Sequence, residues 1–359
     1  MPADRYLYVA GDTGSVQQLS AGSGTRLFDR DTELSPRGLV HHGFTLYVVG
    51  ATDVEESAVV SVDTLGVADG WRFTTETELS TVVRAGDTVY TAGEGVVHAL
   101  DDRGKHLWTH RTPWGHDDEV GQAGAYPAVR VVAGTVYATG RNRLYALHAS
   151  SGEPRWEYRA ADRAAAGPTT APVVAAGVVY QAGGRLVHAV DARSGTAKWR
   201  FVTRGGAVCE PQVRDGMLYA GAGSLHALDV ATGTARWRFT PSAGALTSFS
   251  AVGGGTAIAV CDDLLVAVDS RTGEERWRFT RPTPDAGPLS APVAAQGRVY
   301  TAARSRPHLY GLDASTGEHL WTAGLRDVPD EEVPGRGPPV VSAGAVHVIA
   351  GGALHAVEA

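Results

Sequence analysis

A chain of 359 residues, 43% hydrophobic and 20% charged, can bury a large core, and its length suits two ordinary domains or one ring of repeated modules. Lys+Arg 32 against Asp+Glu 39 leaves a net charge of −7, which excludes a general phosphate-backbone binder, so no nucleic-acid partner is expected. Two cysteines, no charged-then-apolar leader, no lipid-bearing Cys near Met1 and no apolar run of about 18 residues predict a cytoplasmic chain with reduced thiols and no membrane insertion, unless it was cut from a larger or exported parent.

In chain order the sequence is one unit repeated. A first copy, Ser20 to Phe28, opens a frame that recurs at Asp63 to Trp71, Asp101 to Trp108 (one residue shorter) and His148 to Trp156. The frame is sharpest in Asp191-Ala-Arg-Ser-Gly195-Thr-Ala-Lys-Trp199, Asp229-Val-Ala-Thr-Gly233-Thr-Ala-Arg-Trp237, Asp269-Ser-Arg-Thr-Gly273-Glu-Glu-Arg-Trp277 and Asp313-Ala-Ser-Thr-Gly317-Glu-His-Leu-Trp321. Seven of the eight tryptophans occupy this slot and Phe28 fills it in the first copy, leaving Trp114 outside. Before each Asp runs an alternating apolar segment such as Leu186-Val-His-Ala-Val190, preceded by one such as Val178-Val-Tyr180 and, earlier, Ala171-Pro-Val-Val174. Short Val-, Tyr- and Ala-rich runs closed by Gly or Asp predict antiparallel strands, and no window carries a helical apolar stripe. Each unit is four strands in roughly 42 residues, the size of a radial β-repeat.

The frame has a mechanical reading. Its Asp accepts bonds from turn N–H groups, its Ser or Thr adds another, and its Gly supplies a positive φ. The Trp then opens the outer strand and lays its apolar face between neighbouring units. His98, His188, His226 and His355 share one slot with Tyr145 and Tyr310, which marks them as packing residues rather than ligands. Eight frames predict one all-β domain over 1–359, a single eight-bladed β-propeller of four-stranded antiparallel blades. Val346-His-Val-Ile349 and Leu354-His-Ala-Val357 add a strand pair with no following Trp, and the N-terminal unit lacks most of its first strand. Nine blades, or a surplus hairpin, is the alternative.

Asp-x-x-Thr-Gly-x-x-x-Trp after a Leu-Tyr-Ala-Leu-type strand resembles the PQQ-type β-propeller repeat, over nearly the whole chain. Proteins with that repeat include quinoprotein alcohol dehydrogenases, BamB-type outer-membrane assembly lipoproteins and sensor domains fused to bacterial Ser/Thr kinases. The resemblance implies a fold and leaves function to the sites carried on it. In the quinoprotein dehydrogenases it implies a vicinal disulfide against PQQ, with Ca²⁺ beside the cofactor. Here Cys209 and Cys261 are 52 residues apart, so neither PQQ nor another cofactor is expected.

Chemistry is expected where the pattern breaks. Two loops leading into inner strands are long, Thr109 to Pro127 and Ala323 to Pro338. The first holds Trp114, His116, Asp117, Asp118 and Glu119. An aromatic plate beside a His and carboxylates suits a cationic or planar ligand, and the same run also reads as a solvated acidic tip anchored by Trp114. No EF-hand order, His-Glu-x-x-His or paired Cys-x-x-Cys is present, so no metal is predicted. The mouths of the inner strands, Tyr126, Thr170, Cys209, Glu210, Phe249 and Ser290, differ from repeat to repeat, as one asymmetric ligand requires and as neutral drift also produces. The ligand-binding set predicted is Trp114, His116, Asp118, Tyr126, Cys209, Glu210 and Phe249. Glu210 beside Cys209 is a base–thiol pair or, on the competing reading, a neighbour of an inert buried thiol. Arg141-Asn-Arg143 and Arg304-Ser-Arg306 suit an anion, and His41-His42 has no assigned role. The function expected is a non-catalytic propeller binding a protein partner or small-molecule ligand over its central funnel, the sensor part of a Ser/Thr kinase system being one form. A leaderless enzyme of specialised metabolism is the alternative, with no catalytic residue assigned.

Overall fold

A computed structural model describes residues 6–10, 15–20, 26–54, 56–65, 70–93, 95–111, 128–140, 143–160, 170–203, 205, 208–242, 246–252, 255–261, 263–282, 288–303, 308–324, 339–342, 345–350 and 353–358. Its 34 elements are all strands, in nine antiparallel sheets that follow one another along the chain. Sheets two to eight are four-stranded and span 35–75, 79–111, 129–159, 173–202, 212–239, 248–280 and 293–324. Sheet one (6–31) and sheet nine (340–358) have three strands each. Within a sheet, strands adjacent in sequence pair in space, from an inner strand through two middle strands to an outer one.

The eight frames lead into eight outer strands, one in each of sheets one to eight, so the frame count and the blade count agree at eight. Among the described residues sheet one has three strands, the last of which carries the first frame. The surplus pair of the sequence becomes the second and third strands of sheet nine, with Val340–Ser342 before them. The middle strands Val178–Gly183 and Leu186–Asp191 are buried at nearly every position, whereas the outer strand Ala197–Val202 is largely exposed. Cover on both faces explains the continuous apolar runs of the middle strands.

Two compact units divide the chain. One is Ala10–Gln17 with Phe28–Pro211, which carries sheets two to five; the other is Met1–Val9, Gln18–Leu27 and Gln212–Ala359, which carries sheets six to nine. Inside each unit the frame tryptophan of one sheet docks on the turn of the next. In the unit of sheets two to five, the indole N–H groups of Trp71, Trp108 and Trp156 donate to the carbonyls of Asp102, Ala149 and Ala192 at 2.9, 3.0 and 3.1 Å. In the other unit Trp237 donates to Ser270 at 2.9 Å and Trp277 to Ala314 at 3.0 Å.

Each docked ring lies against the frame glycine of its neighbour. A Cβ placed on Gly152 or Gly317 would sit 2.4 or 2.5 Å from ring carbons of Trp108 or Trp277, and both glycines have φ of +72°. Glycine is therefore required twice, by the left-handed backbone and by the indole face. A tyrosine of the second strand joins the contact: the hydroxyls of Tyr90, Tyr137 and Tyr219 donate to the same carbonyls of Ala149, Ala192 and Ser270, at 3.1, 3.3 and 3.4 Å.

The frame aspartates organise the turns as the sequence predicts. Asp269 accepts from the N–H groups of Arg271 and Thr272 at 2.8 and 3.1 Å, and Asp313 accepts from the N–H and hydroxyl groups of both Ser315 and Thr316. In sheets three to eight a β-bulge follows, leaving the residue just before the Trp out of register. Where that residue is basic it can return to the frame carboxylate: Arg236 lies 2.7 Å from Asp229 and Arg276 2.6 Å from Asp269.

Candidate functional site

Four of the seven predicted ligand residues, Trp114, His116, Asp118 and Tyr126, lie outside the described residues, as do Arg141, Arg304 and Arg306. The other three occupy distinct environments. Glu210 is exposed at the lead into the inner strand of sheet six. Cys209 is half-buried, and burial pushes its thiol above the ordinary range, the setting of an unreactive thiol rather than an activated nucleophile. The preceding Val208 is buried and tied back to sheet five by its N–H, which donates to Gly184 O at 2.8 Å.

Phe249 points into its own unit. It is 4% exposed, and a Cβ on Gly221 would come within 2.8 Å of its ring. Its backbone carbonyl accepts from the Gln212 amide at 3.3 Å, joining the inner strands of sheets six and seven. The side chain therefore supplies core area to the sheets rather than open area for a ligand. Neither Cys209 nor Cys261 is in a disulfide.

The remaining mouth positions serve their own sheets. Ser290 is buried; its hydroxyl accepts from Ala302 N–H at 3.0 Å and its carbonyl accepts from the Thr301 hydroxyl at 3.0 Å. Thr170 N–H donates to Ala182 O at 3.0 Å. These residues peg the lead of the inner strand to the second strand where ladder pairing stops, a role legible in the shared Thr/Ser-Ala-Pro-Val spelling of Thr170-Ala-Pro-Val173 and Ser290-Ala-Pro-Val293. The sequence did not single out Arg37 and Glu78, which pair at 2.5 Å while Arg37 also donates to Leu79 O at 3.2 Å, clasping the inner strands of sheets two and three.

The shared His/Tyr slot of the third strand is buried, as its alternation predicts, with exposures of 7%, 4% and 5% for His98, His188 and His226. Its partner is an aromatic two residues beyond the Trp of the preceding sheet. Phe73 meets His98 at 5.2 Å between centroids, His110 meets Tyr145 at 5.9 Å, Tyr158 meets His188 at 5.5 Å and Phe279 meets Tyr310 at 5.7 Å. The side chain of His355 lies outside the described residues.

Burial, reinforced by His106 and Arg111, lowers His98 to about 4, and burial with Arg238 nearby lowers His226 to about 4. Among the frame carboxylates, Arg236 holds Asp229 at about 2 and Arg276 does the same for Asp269. Asp313 reaches about 2 through the Ser315 hydroxyl and turn N–H groups, with Leu320 where the frames of Asp191, Asp229 and Asp269 place a cation. A pH profile follows. Neutral when folded and charged when unfolded, the two histidines withdraw stability as pH falls from about 6.5 to about 4. The aspartates, depressed when folded, withdraw theirs as pH falls from about 4 to about 2. Urea midpoints should drop in two steps; His98→Gln should shrink the upper step and Asp313→Asn the lower. A midpoint that does not change with pH above about 4 would contradict the histidine assignment.

Among the described residues no three His, Cys, Asp or Glu side chains gather as a metal site, and no helix is long and apolar enough to cross a membrane. Sequential four-stranded antiparallel sheets, latched by a tryptophan on the next sheet's glycine, define a PQQ-type β-propeller. The family model described as outer membrane protein assembly factor BamB matches residues 93–208, 161–280 and 221–359, and the chain belongs to that family. A comparison with curated protein sequences finds no match. Among solved structures the chain is similar to BamB from Moraxella catarrhalis, with 17% identity and a TM-score of 0.62 over 88% of this chain and 92% of that one. It is similar to a europium-containing methanol dehydrogenase, with 14% identity and a TM-score of 0.59 over 87% and 81%. Saccharomyces cerevisiae Sqt1 matches over 100% of both chains, with 10% identity and a TM-score of 0.63. At these identities the likenesses show the fold alone.

Proposed function

We propose that this chain is a non-catalytic propeller, one domain over 1–359, that docks a protein partner on the face formed by the loops leading into its inner strands. One observation carries the reading: the repeated slots are already engaged in joining strand to strand and sheet to sheet, whereas Glu210 stands exposed at a position no other repeat spells alike. A slot filled alike in every unit serves the scaffold, so recognition of one asymmetric partner falls to positions that break the pattern. The long loop with Trp114, His116, Asp118 and Tyr126 supplies the other determinants in this reading, with Trp114 as the apolar anchor and Glu210 or Asp118 as the polar handle. Membership of a family described as an assembly factor supports docking over catalysis, and the raised thiol of Cys209 supports it further.

The test is a paired capture experiment in the chain's own host. Partners enriched by the wild type should be lost from the Trp114→Ala/Glu210→Ala variant, while its melting temperature stays within about 2 °C, since surface changes cost little. Undiminished capture by the double variant would move the docking face elsewhere.

A further inference from the structure

The spelling His-Leu-Trp-Thr occurs twice, at His106–Thr109 and at His319–Thr322. Each copy opens the outer strand of its sheet, sheet three or sheet eight. Each histidine lies flat on an aromatic ring of the preceding sheet. His106 stacks on Phe73 of sheet two with 5.8 Å between centroids and 11° between planes, and His319 stacks on Phe279 of sheet seven at 5.7 Å and 25°. In both copies the ring Nε2 is 2.7 Å from the hydroxyl of the threonine three residues on, Thr109 or Thr322. On their outer side the gap between sheets two and three and the gap between sheets seven and eight are therefore built alike.

They differ one strand further in. The third-strand slot holds His98 in sheet three and Tyr310 in sheet eight. His98 Nδ1 is 2.9 Å from the Thr109 hydroxyl that His106 also meets, so two imidazoles converge on one oxygen. Their rings meet edge to face at 5.7 Å, and Phe73 closes on His98 from sheet two at 5.2 Å. His98 is buried, and its Nε2 has no hydrogen-bond partner among the described residues. Thr91 and Thr109 lie opposite it in the two ladders and, like Phe73, carry no charge. The titratable and charged groups that act on it are His106 and Arg111 of its own sheet.

A neutral His98 fits this site, with one ring nitrogen bonded to Thr109 and a single nitrogen left over. A protonated His98 does not. Both nitrogens then carry N–H, so a donor is buried without an acceptor and a positive charge is added beside the Arg111 guanidinium. Parting the two sheets would give that N–H to water. The closed gap thus holds the neutral ring and the open gap takes up the proton, so falling pH favours opening. A phenol gains no proton as pH falls, so Tyr310 supplies no such trigger. We propose that the outer gap between sheets two and three is an acid-sensitive joint, opened by proton uptake at His98, while the gap between sheets seven and eight stays shut. The joint stands apart from the docking face proposed above and does not depend on it.

Hydrogen exchange of the full chain, each amide rate divided by its intrinsic rate at the same pH, tests the proposal. Between about pH 7.5 and about pH 5 the amides of Arg72–Thr75 and His106–Arg111 should lose protection about tenfold, as one buried imidazole predicts. Those of Glu275–Thr280 and His319–Gly324 should change by less than about twofold. His98→Tyr, the residue this slot holds in sheets four and eight, should abolish the response of sheets two and three, and so should His98→Gln. Because the two gaps are compared within one wild-type chain, the main result does not depend on either variant folding. Equal loss at both gaps, no loss at the first, or an undiminished response in a folded His98 variant would overturn the proposal.

Discussion

Trp277→Ala is expected to destabilise the unit that contains it by about 3–5 kcal/mol, the range for a buried aromatic cut back to alanine. The side chain is 6% exposed and packs with Val299, Leu312 and Phe279 in a core shared by sheets seven and eight. Truncation removes that area, leaves a void between the sheets and strips the Ala314 carbonyl of the indole N–H it accepts at 3.0 Å. Trp277→Phe should cost less, because it keeps most of the packing and loses the hydrogen bond. Chemical denaturation followed by tryptophan-independent circular dichroism reads both. A loss below about 1 kcal/mol for the alanine variant would mean the neighbouring sheets hold together without the ring.

Gly317→Ala is expected to cost about 2–4 kcal/mol although it adds a single methyl group. A left-handed backbone at φ +72° penalises any Cβ by about 1–2 kcal/mol. The added carbon would also sit 2.5 Å from the Trp277 ring, so the indole must withdraw from a packed core, an overpacking cost of about 1–3 kcal/mol. A contrasting site checks the second part. Gly297 has φ +76° with nothing within 4 Å of its Cβ position, so Gly297→Ala should show the backbone penalty alone. Equal losses at the two glycines, in the same denaturation series, would remove the indole from the explanation.

Much of the fold was legible because its signals are local and repeated. The Asp, Gly and Trp of the frame act within about nine residues, and eight copies separate the recurring slots from the variable ones. The second-strand tyrosines were harder to read, since Tyr137 donates to Ala192, a carbonyl 55 residues away in another sheet. The variation at Thr170 and Ser290 suited a ligand and neutral drift alike; in the structure the Ser290 hydroxyl accepts from Ala302 N–H and Thr170 N–H donates to Ala182 O, so both residues tie their own sheets together. Phe249 misled for a related reason. An aromatic at a mouth position suggests open apolar area, but strand alternation over Ser248–Val252 turns it inward against Gly221. The candidate site was legible only as a place, because one long loop and one Glu have no period against which to be checked.

The indole of one sheet requires the glycine of the next, and a double-mutant cycle on Trp277→Ala and Gly317→Ala measures that requirement directly. With the ring gone, the new methyl meets open space, so Gly317→Ala should cost about 1–3 kcal/mol less in the Trp277→Ala background than in the wild type. Losses that add within about 0.5 kcal/mol would show that the two residues stabilise the propeller independently, and would contradict the latch.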